Sequence, residues 1–225
     1  MATLKAYGKI NLVLKVFPRR QKDAKHKIHS LMILDKTLYD QISITPSETF
    51  SITYYNNNKT ISINNCVITK SIAYLQNILK TKLCYQIVVY KQIPFMSGLG
   101  GSATDAASII LYILKQYHKE INVNQLKYIA LHIGSDIPFF LSQLNAAEVK
   151  GYGDKVQKFN ITKIKYSLHL THIPITSQRV YRELDKNLRY VSQVNFKKCV
   201  NILRERKRLY FYHGVFRPYG HGVNL

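Results

Sequence analysis

Apolar and polar residues alternate through Ile10, Leu12, Leu14 and Val16, so residues 4–17 read as an extended strand. A short apolar run, Leu31 to Leu34, precedes a second alternating stretch, Asp40-Gln41-Ile42-Ser43-Ile44-Thr45. Segments 50–55 and 60–64 are β-branched and aromatic, and the turn signal Asn56-Asn57-Asn58-Lys59 separates them. The period changes at 66–81, where Ile68, Ile72, Leu75 and Leu79 recur at helical spacing. Alternation returns in Tyr85-Gln86-Ile87-Val88-Val89-Tyr90-Lys91. A Pro/Gly loop at 94–101 leads into an apolar helix over about 102–117, and a second helix covers about 123–133. A mixed region runs from 161 onward. Strands come in groups and helices in groups, so the pattern predicts an α+β fold rather than a βαβ repeat.

Composition narrows the class. A chain of 225 residues allows one large domain or two small ones. With 46% hydrophobic and 12% aromatic residues, general disorder is excluded. Lys and Arg number 33 against 12 Asp and Glu, a net charge of +21 that invites a nucleic-acid or membrane partner. Most of that charge is scattered Lys, and the 24 Lys stand beside 25 Ile, 15 Asn and 17 Tyr, all with A/T-rich codons. Base composition therefore explains much of it without a partner. Only from about 179 does the charge concentrate, because seven of the nine Arg lie at 179–217. Cys66, Cys84 and Cys199 fit neither a disulfide framework nor a zinc pattern. The start, Met1-Ala2-Thr3-Leu4-Lys5, has no apolar signal core, and no apolar run approaches the ~20 residues that span a bilayer. The expectation is a soluble cytoplasmic protein with no membrane partner.

The most informative segment is Pro94-Phe95-Met96-Ser97-Gly98-Leu99-Gly100-Gly101-Ser102-Ala103-Thr104. Its glycines permit close backbone approach, and its hydroxyls and small residues suit a helix start whose amides and dipole favour an anion. The loop lacks the Gly-Lys-Ser/Thr of a Walker A and the third glycine of a dinucleotide fingerprint. It predicts a phosphate site. Lys9 is the only charge in Tyr7-Gly8-Lys9-Ile10-Asn11-Leu12, where a lysine is costly unless paired, functional or snorkelling from an edge. Asp136, between Gly134-Ser135 and Pro138, reads either as a helix cap or as a carboxylate projecting into a cleft.

Pro94 with Gly98-Leu99-Gly100-Gly101-Ser102-Ala103 resembles the phosphate motif of the GHMP kinases. Lys9-Ile10-Asn11-Leu12, followed by Arg19-Arg20, Asp23 and His26, resembles the N-terminal motif of the 4-diphosphocytidyl-2-C-methyl-D-erythritol kinases within that family. Ile133-Gly134-Ser135-Asp136-Ile137-Pro138-Phe139-Phe140, then Gly151-Tyr152-Gly153-Asp154, resembles their catalytic segment. The resemblance implies a GHMP kinase N-terminal domain (ribosomal protein S5 domain 2-like) over residues 1–160. An incomplete ferredoxin-like domain at 161–225 would follow, its basic tail diverging from about 203.

By the same resemblance the activity is ATP-dependent phosphorylation of the 2-hydroxyl of cytidine diphosphate methylerythritol, in non-mevalonate isoprenoid synthesis. Lys9 and Asp136 would be catalytic, and residues 94–104 would bind ATP. Asn11, His26 and Tyr181 would bind the acceptor. ATP would bring Mg²⁺, whose protein ligands stay unassigned. The family's Asp-Gly-Tyr-His appears here as Asp23-Ala24-Lys25-His26, so one stacking aromatic is replaced by Lys25. No Gly-Ser-Gly segment follows residue 160, and the tail reads as a divergent or frame-shifted end. Two alternatives therefore stand beside the kinase: a nucleotide-binding remnant without turnover, and a basic nucleic-acid-binding protein.

Overall fold

A computed structural model describes residues 1–19, 23, 25–63, 66–161, 166–169, 177–186, 196, 199–201, 209–212 and 215–216. Its strands are β1 (Ala2–Val16), β2 (Ile28–Pro46), β3 (Ser51–Asn56), β4 (Lys59–Ile61), β5 (Tyr85–Lys91), β6 (Ala146–Gly151), β7 (Lys155–Lys158), β8 (Tyr166–His169), β9 (Leu209–Tyr212) and β10 (Val215–Phe216). Its helices are α1 (Val67–Leu79), α2 (Gly101–Gln116), α3 (Val123–His132), α4 (Ile137–Leu141) and α5 (Ser177–Lys186). The described strands form one sheet in the order β4-β3-β5-β2-β1-β10-β9-β8, with β6 added to β2 and β7 to β6. The grouped strands and helices match the α+β expectation.

Two long antiparallel strands, β1 and β2, organise the sheet. The two segments read from sequence as a run at 31–34 and a strand at 40–45 are one strand, and this corrects the expectation. Tyr7 faces Tyr39 but Gly8 faces Asp35, so Lys36, Thr37 and Leu38 bulge from the ladder. Asp35 closes the bulge: its Oδ1 accepts from Thr37 N at 3.0 Å, Thr37 Oγ1 at 2.7 Å and Tyr166 Oη at 2.7 Å. A bulge satisfied by side chains keeps the strand going while it interrupts the alternation, which is why periodicity reads a break. Either side of it β2 serves a different partner: Ile28–Ile33 pair with β6, and Gln41–Pro46 pair with β5.

Helices cover one face of the sheet. Ile68, Ile72 and Leu75 of α1, Ile109, Ile110 and Ile113 of α2, and Phe139 of α4 pack with Ile42, Ile44, Ile87 and Val89. On the other face Ile10, Leu12, Leu31 and Ile33 meet Leu99, Ala146 and Val200. Each such buried aliphatic side chain contributes about 1.5–3 kcal/mol. Residues 8–13 of β1 are therefore buried on both sides, and Lys9 is not an edge-strand lysine.

The helices at 66–81, 102–117 and 123–133 lie within two residues of expectation. A capping box starts α3: Gln125 N donates to Asn122 Oδ1 at 3.0 Å, and Asn122 N donates to Gln125 Oε1 at 2.9 Å. The strand expected at 60–64 is only Lys59–Ile61. The short elements α4, β6 and β7 carry too few residues for a clear period, and the pattern misses them. The tail from 203, read from sequence as a divergent end, supplies β9 and β10, and β10 runs parallel to β1 at Asn11 and Val215. Residues 203–208, 213–214 and 217–225 lie outside the described residues, as does the stretch 170–176.

Candidate active site

The glycine-rich loop crosses from β5 to α2 over the middle of β1. Ser97 Oγ donates to Pro94 O at 2.8 Å and accepts from Leu99 N at 3.4 Å, closing the turn. Leu99 is fully buried, and its carbonyl accepts from Lys9 N at 2.8 Å, which fixes the loop to β1. Gly100 caps α2 at φ +75°, where a Cβ would lie 3.0 Å from Phe140 Cε2 and 3.2 Å from Lys9 Cγ. Gly100 at the N-cap has no side chain to cap the first amides of α2, which suit an anion. Of the expected ATP residues, Pro94, Phe95, Met96, Gly98 and Ser102 are exposed, and Gly100, Gly101 and Ala103 are partly so. Ser97, Leu99 and Thr104 are buried supports.

Beneath the loop lies an ionic cluster that the sequence reading missed. Lys91 Nζ donates to the Asp40 carboxylate, and to Asp105 Oδ2 at 2.7 Å. Asp40 Oδ1 also accepts from Gln92 N at 2.6 Å and Ile93 N at 2.8 Å. Two carboxyl groups share one ammonium out of water. Burial first, and then the charge of Asp40, push the Asp105 carboxyl up to about 8. Asp105 and Asp40 raise the Lys91 pKa although burial alone would lower it. Among the described residues Asp105 Oδ1 is buried without a hydrogen-bond partner. Beside it opens a cavity of about 130 Å³, lined by Tyr54, Ile63, Val67, Ile68, Lys91, Ser102 and Asp105. Asp105 among the apolar inward positions of α2 was the signal available in the sequence.

Lys9 Nζ lies 3.3 Å from Asp136 Oδ2, with the lysine side chain 4% and the aspartate side chain 31% exposed. Asp136 precedes α4 but makes no side-chain cap bond, so its carboxylate serves Lys9 rather than the helix. The bend carrying it is held from two directions. Ser135 Oγ donates to Ala130 O at 3.3 Å, and Gly134 N to Ile129 O at 2.9 Å. From the other side the β6–β7 turn packs on Ser135: a Cβ on Gly153, at φ +99°, would sit 1.9 Å from Ser135 O. Asn11 is buried two residues along β1 from Lys9, and its Oδ1 accepts from Ser30 Oγ at 3.1 Å.

His26 stacks on Tyr181 of α5, ring centroids 5.1 Å apart and 13° from parallel. Its Nδ1 bonds Phe17 O at 2.9 Å, and its Nε2 lies 3.2 Å from Asp185 Oδ1. Both ring nitrogens therefore face acceptors, and Asp185 joins the site without having been expected there. Burial and then the charge of Asp136 push the Tyr181 hydroxyl up to about 12. Asp136 thus acts electrostatically on Tyr181 as it pairs with Lys9. Lys25, read from sequence only as a lost aromatic, donates from Nζ to Ala130 O at 2.9 Å. Of the other histidines, His29 pairs with Glu148 at 2.6 Å and stacks on Phe196, and His132 packs on Tyr128. His172 lies outside the described residues.

The family of the GHMP kinases N terminal domain matches residues 67–143. A 4-diphosphocytidyl-2-C-methyl-D-erythritol kinase of Ureaplasma parvum serovar 3 is 32% identical over 206 residues, covering 90% of this chain and 77% of that one. A solved 4-(cytidine 5'-diphospho)-2C-methyl-D-erythritol kinase shares the fold at TM-score 0.56 and 24% identity, over 72% of this chain and 57% of the other. The phosphomevalonate kinase of Streptococcus pneumoniae, solved with phosphomevalonate and AMPPNP, shares it at TM-score 0.59 and 14% identity, over 92% and 74%. Identity at that level over nine-tenths of its length places the chain in the 4-diphosphocytidyl-2-C-methyl-D-erythritol kinase family of the GHMP kinases.

Proposed function

We propose that the chain transfers the γ-phosphoryl group of ATP to the 2-hydroxyl of 4-diphosphocytidyl-2-C-methyl-D-erythritol, in the cytoplasm. The observation that carries this reading is the Lys9–Asp136 pair, 3.3 Å apart and set against the Gly100 turn. Phosphoryl transfer asks for positioning and charge stabilisation. The α2 amides and the loop 94–104 would hold the phosphates, with the base in the adjoining cavity. Asp136 would take the hydroxyl proton as the acceptor oxygen bonds to phosphorus and the bond to the β-phosphate oxygen breaks. Lys9, nearly buried and therefore little screened, would face the developing charge. His26 and Tyr181 would receive the cytidine end and Asn11 the erythritol.

Mg²⁺ would enter this site as a companion of ATP. Among the described residues no group of three His, Cys, Asp or Glu side chains is placed to cage a metal, and Mg²⁺ commonly binds through substrate phosphates with few carboxylates. When bound it would neutralise phosphate charge. Among the described residues no helix is long and apolar enough to cross a membrane. The division at about residue 160 belongs to the same proposal.

The test is a coupled ADP-release assay with the cytidine acceptor. Losing a general base lowers turnover about 10²–10⁴-fold, and Asp136→Ala should show that loss with ATP still bound. Turnover that survives the substitution refutes the mechanism. Wild-type protein that binds ATP and releases no ADP favours the remnant without turnover.

A further inference from the structure

Asp23 and Lys25 are tied to the two segments that flank Asp136. Tyr152 Oη donates to Asp23 Oδ1 at 3.0 Å, and Tyr152 precedes the glycine that packs on Ser135. Lys25 Nζ donates to Ala130 O at 2.9 Å, and Ser135 Oγ donates to that same carbonyl at 3.3 Å. Ala130 is fully buried in the last turn of α3, and the amide of Gly134 goes to Ile129 O instead. A carbonyl there carries the negative end of the helix dipole and suits an ammonium. His26 follows Lys25 directly in the chain, bonded to Phe17 O and facing Asp185.

We infer that Lys25 is a positioning residue: its ammonium bolts the segment 25–27, which carries His26, to the bend that carries Asp136, so both keep one register. The inference rests on the proposed kinase reading of the site. A lysine cannot stack on a base as an aromatic does, and here it makes a tether instead. The charged groups around it agree with a half-buried tether. Burial and Lys70 of α1 lower its pKa, and Asp136 acts the other way. Two chain segments 105 residues apart in sequence are joined through this one ammonium.

Lys25→Met keeps the stem and removes the charge. A lost tether should lower kcat/KM for the acceptor about tenfold or more while KM for ATP stays within about twofold, and Lys25→Arg should recover most of the loss. Hydrogen exchange gives a readout that needs no turnover: peptides covering Lys25–Lys27 and Ile129–Asp136 should both exchange faster in Lys25→Met. Wild-type protein that fails to phosphorylate the acceptor sinks the proposed function and leaves this inference to the exchange data. Unchanged exchange in either segment overturns it, and so does an acceptor kcat/KM within about twofold of wild type.

Discussion

Gly153→Ala perturbs the site without touching a reacting group. The backbone there has φ +99°, a region that costs an L-residue on the order of 1–3 kcal/mol. The added methyl would sit 1.9 Å from Ser135 O, and a carbon–oxygen contact needs roughly 3 Å or more, so turn and bend must part by about 1 Å. The oxygen belongs to backbone, and no rotamer change relieves the clash. Ser135 immediately precedes Asp136, so the displacement passes to the carboxylate facing Lys9. A misplacement of about 1 Å at a reacting group costs on the order of 10²-fold in rate. The coupled ADP-release assay should therefore show kcat down by about that factor with KM for ATP little changed, and a thermal melt should show a modest loss of Tm. A variant with kcat within about threefold of wild type would refute the claim that this turn positions Asp136.

Two further outcomes follow from the geometry. Burial holds the Asp105 carboxyl up to about 8, so the folded chain keeps a proton that the unfolded chain releases near its ordinary value of about 4. Stability from that proton is complete below about pH 4 and is lost as pH rises toward about 8. The Tm of the wild type should therefore fall relative to Asp105→Asn across this window, and parallel curves would contradict it. Tyr181→Leu removes the ring stacked on His26. Stacking of this kind contributes about 0.5–1.5 kcal/mol, so the acceptor KM should rise roughly two- to tenfold with the ATP KM unchanged; an equal rise in both would show that the ring does not serve the acceptor alone.

Much of the layout was legible because local periodicity reports which face of an element is buried. Helices α1, α2 and α3 begin and end within two residues of the expected bounds, since each carries an apolar stripe. The loop at 94–104 was legible for a different reason: glycines and small hydroxyl residues before a helix state a backbone requirement that needs no partner. The continuity of β2 was not legible. Asp35, Thr37 and Tyr166 close its bulge, and Tyr166 lies 131 residues from Asp35. Lys91 ends an alternating stretch and Asp105 sits in an apolar helix, and neither local pattern names a partner. Only the packing of α2 on the sheet brings them to Asp40, with that carboxylate and the ammonium almost excluded from water. Lys25 was read as a loss because its partner is a backbone carbonyl, which leaves no mark in composition.

The sequence by itself determined that Lys9 and Asp136 were worth watching: each is a charge where a neutral residue would be cheaper. It could not decide between a snorkelling lysine and a paired one, or between a helix cap and a projecting carboxylate. Those choices depend on distance, and the two residues lie far apart in the chain. Tertiary structure made them when β1 became an interior strand buried on both faces, so Lys9 had no route to solvent. The Gly153 turn and the end of α3 then held Asp136 within 3.3 Å of it. Local pattern says what a residue requires; closure of the sheet supplies the partner that meets the requirement.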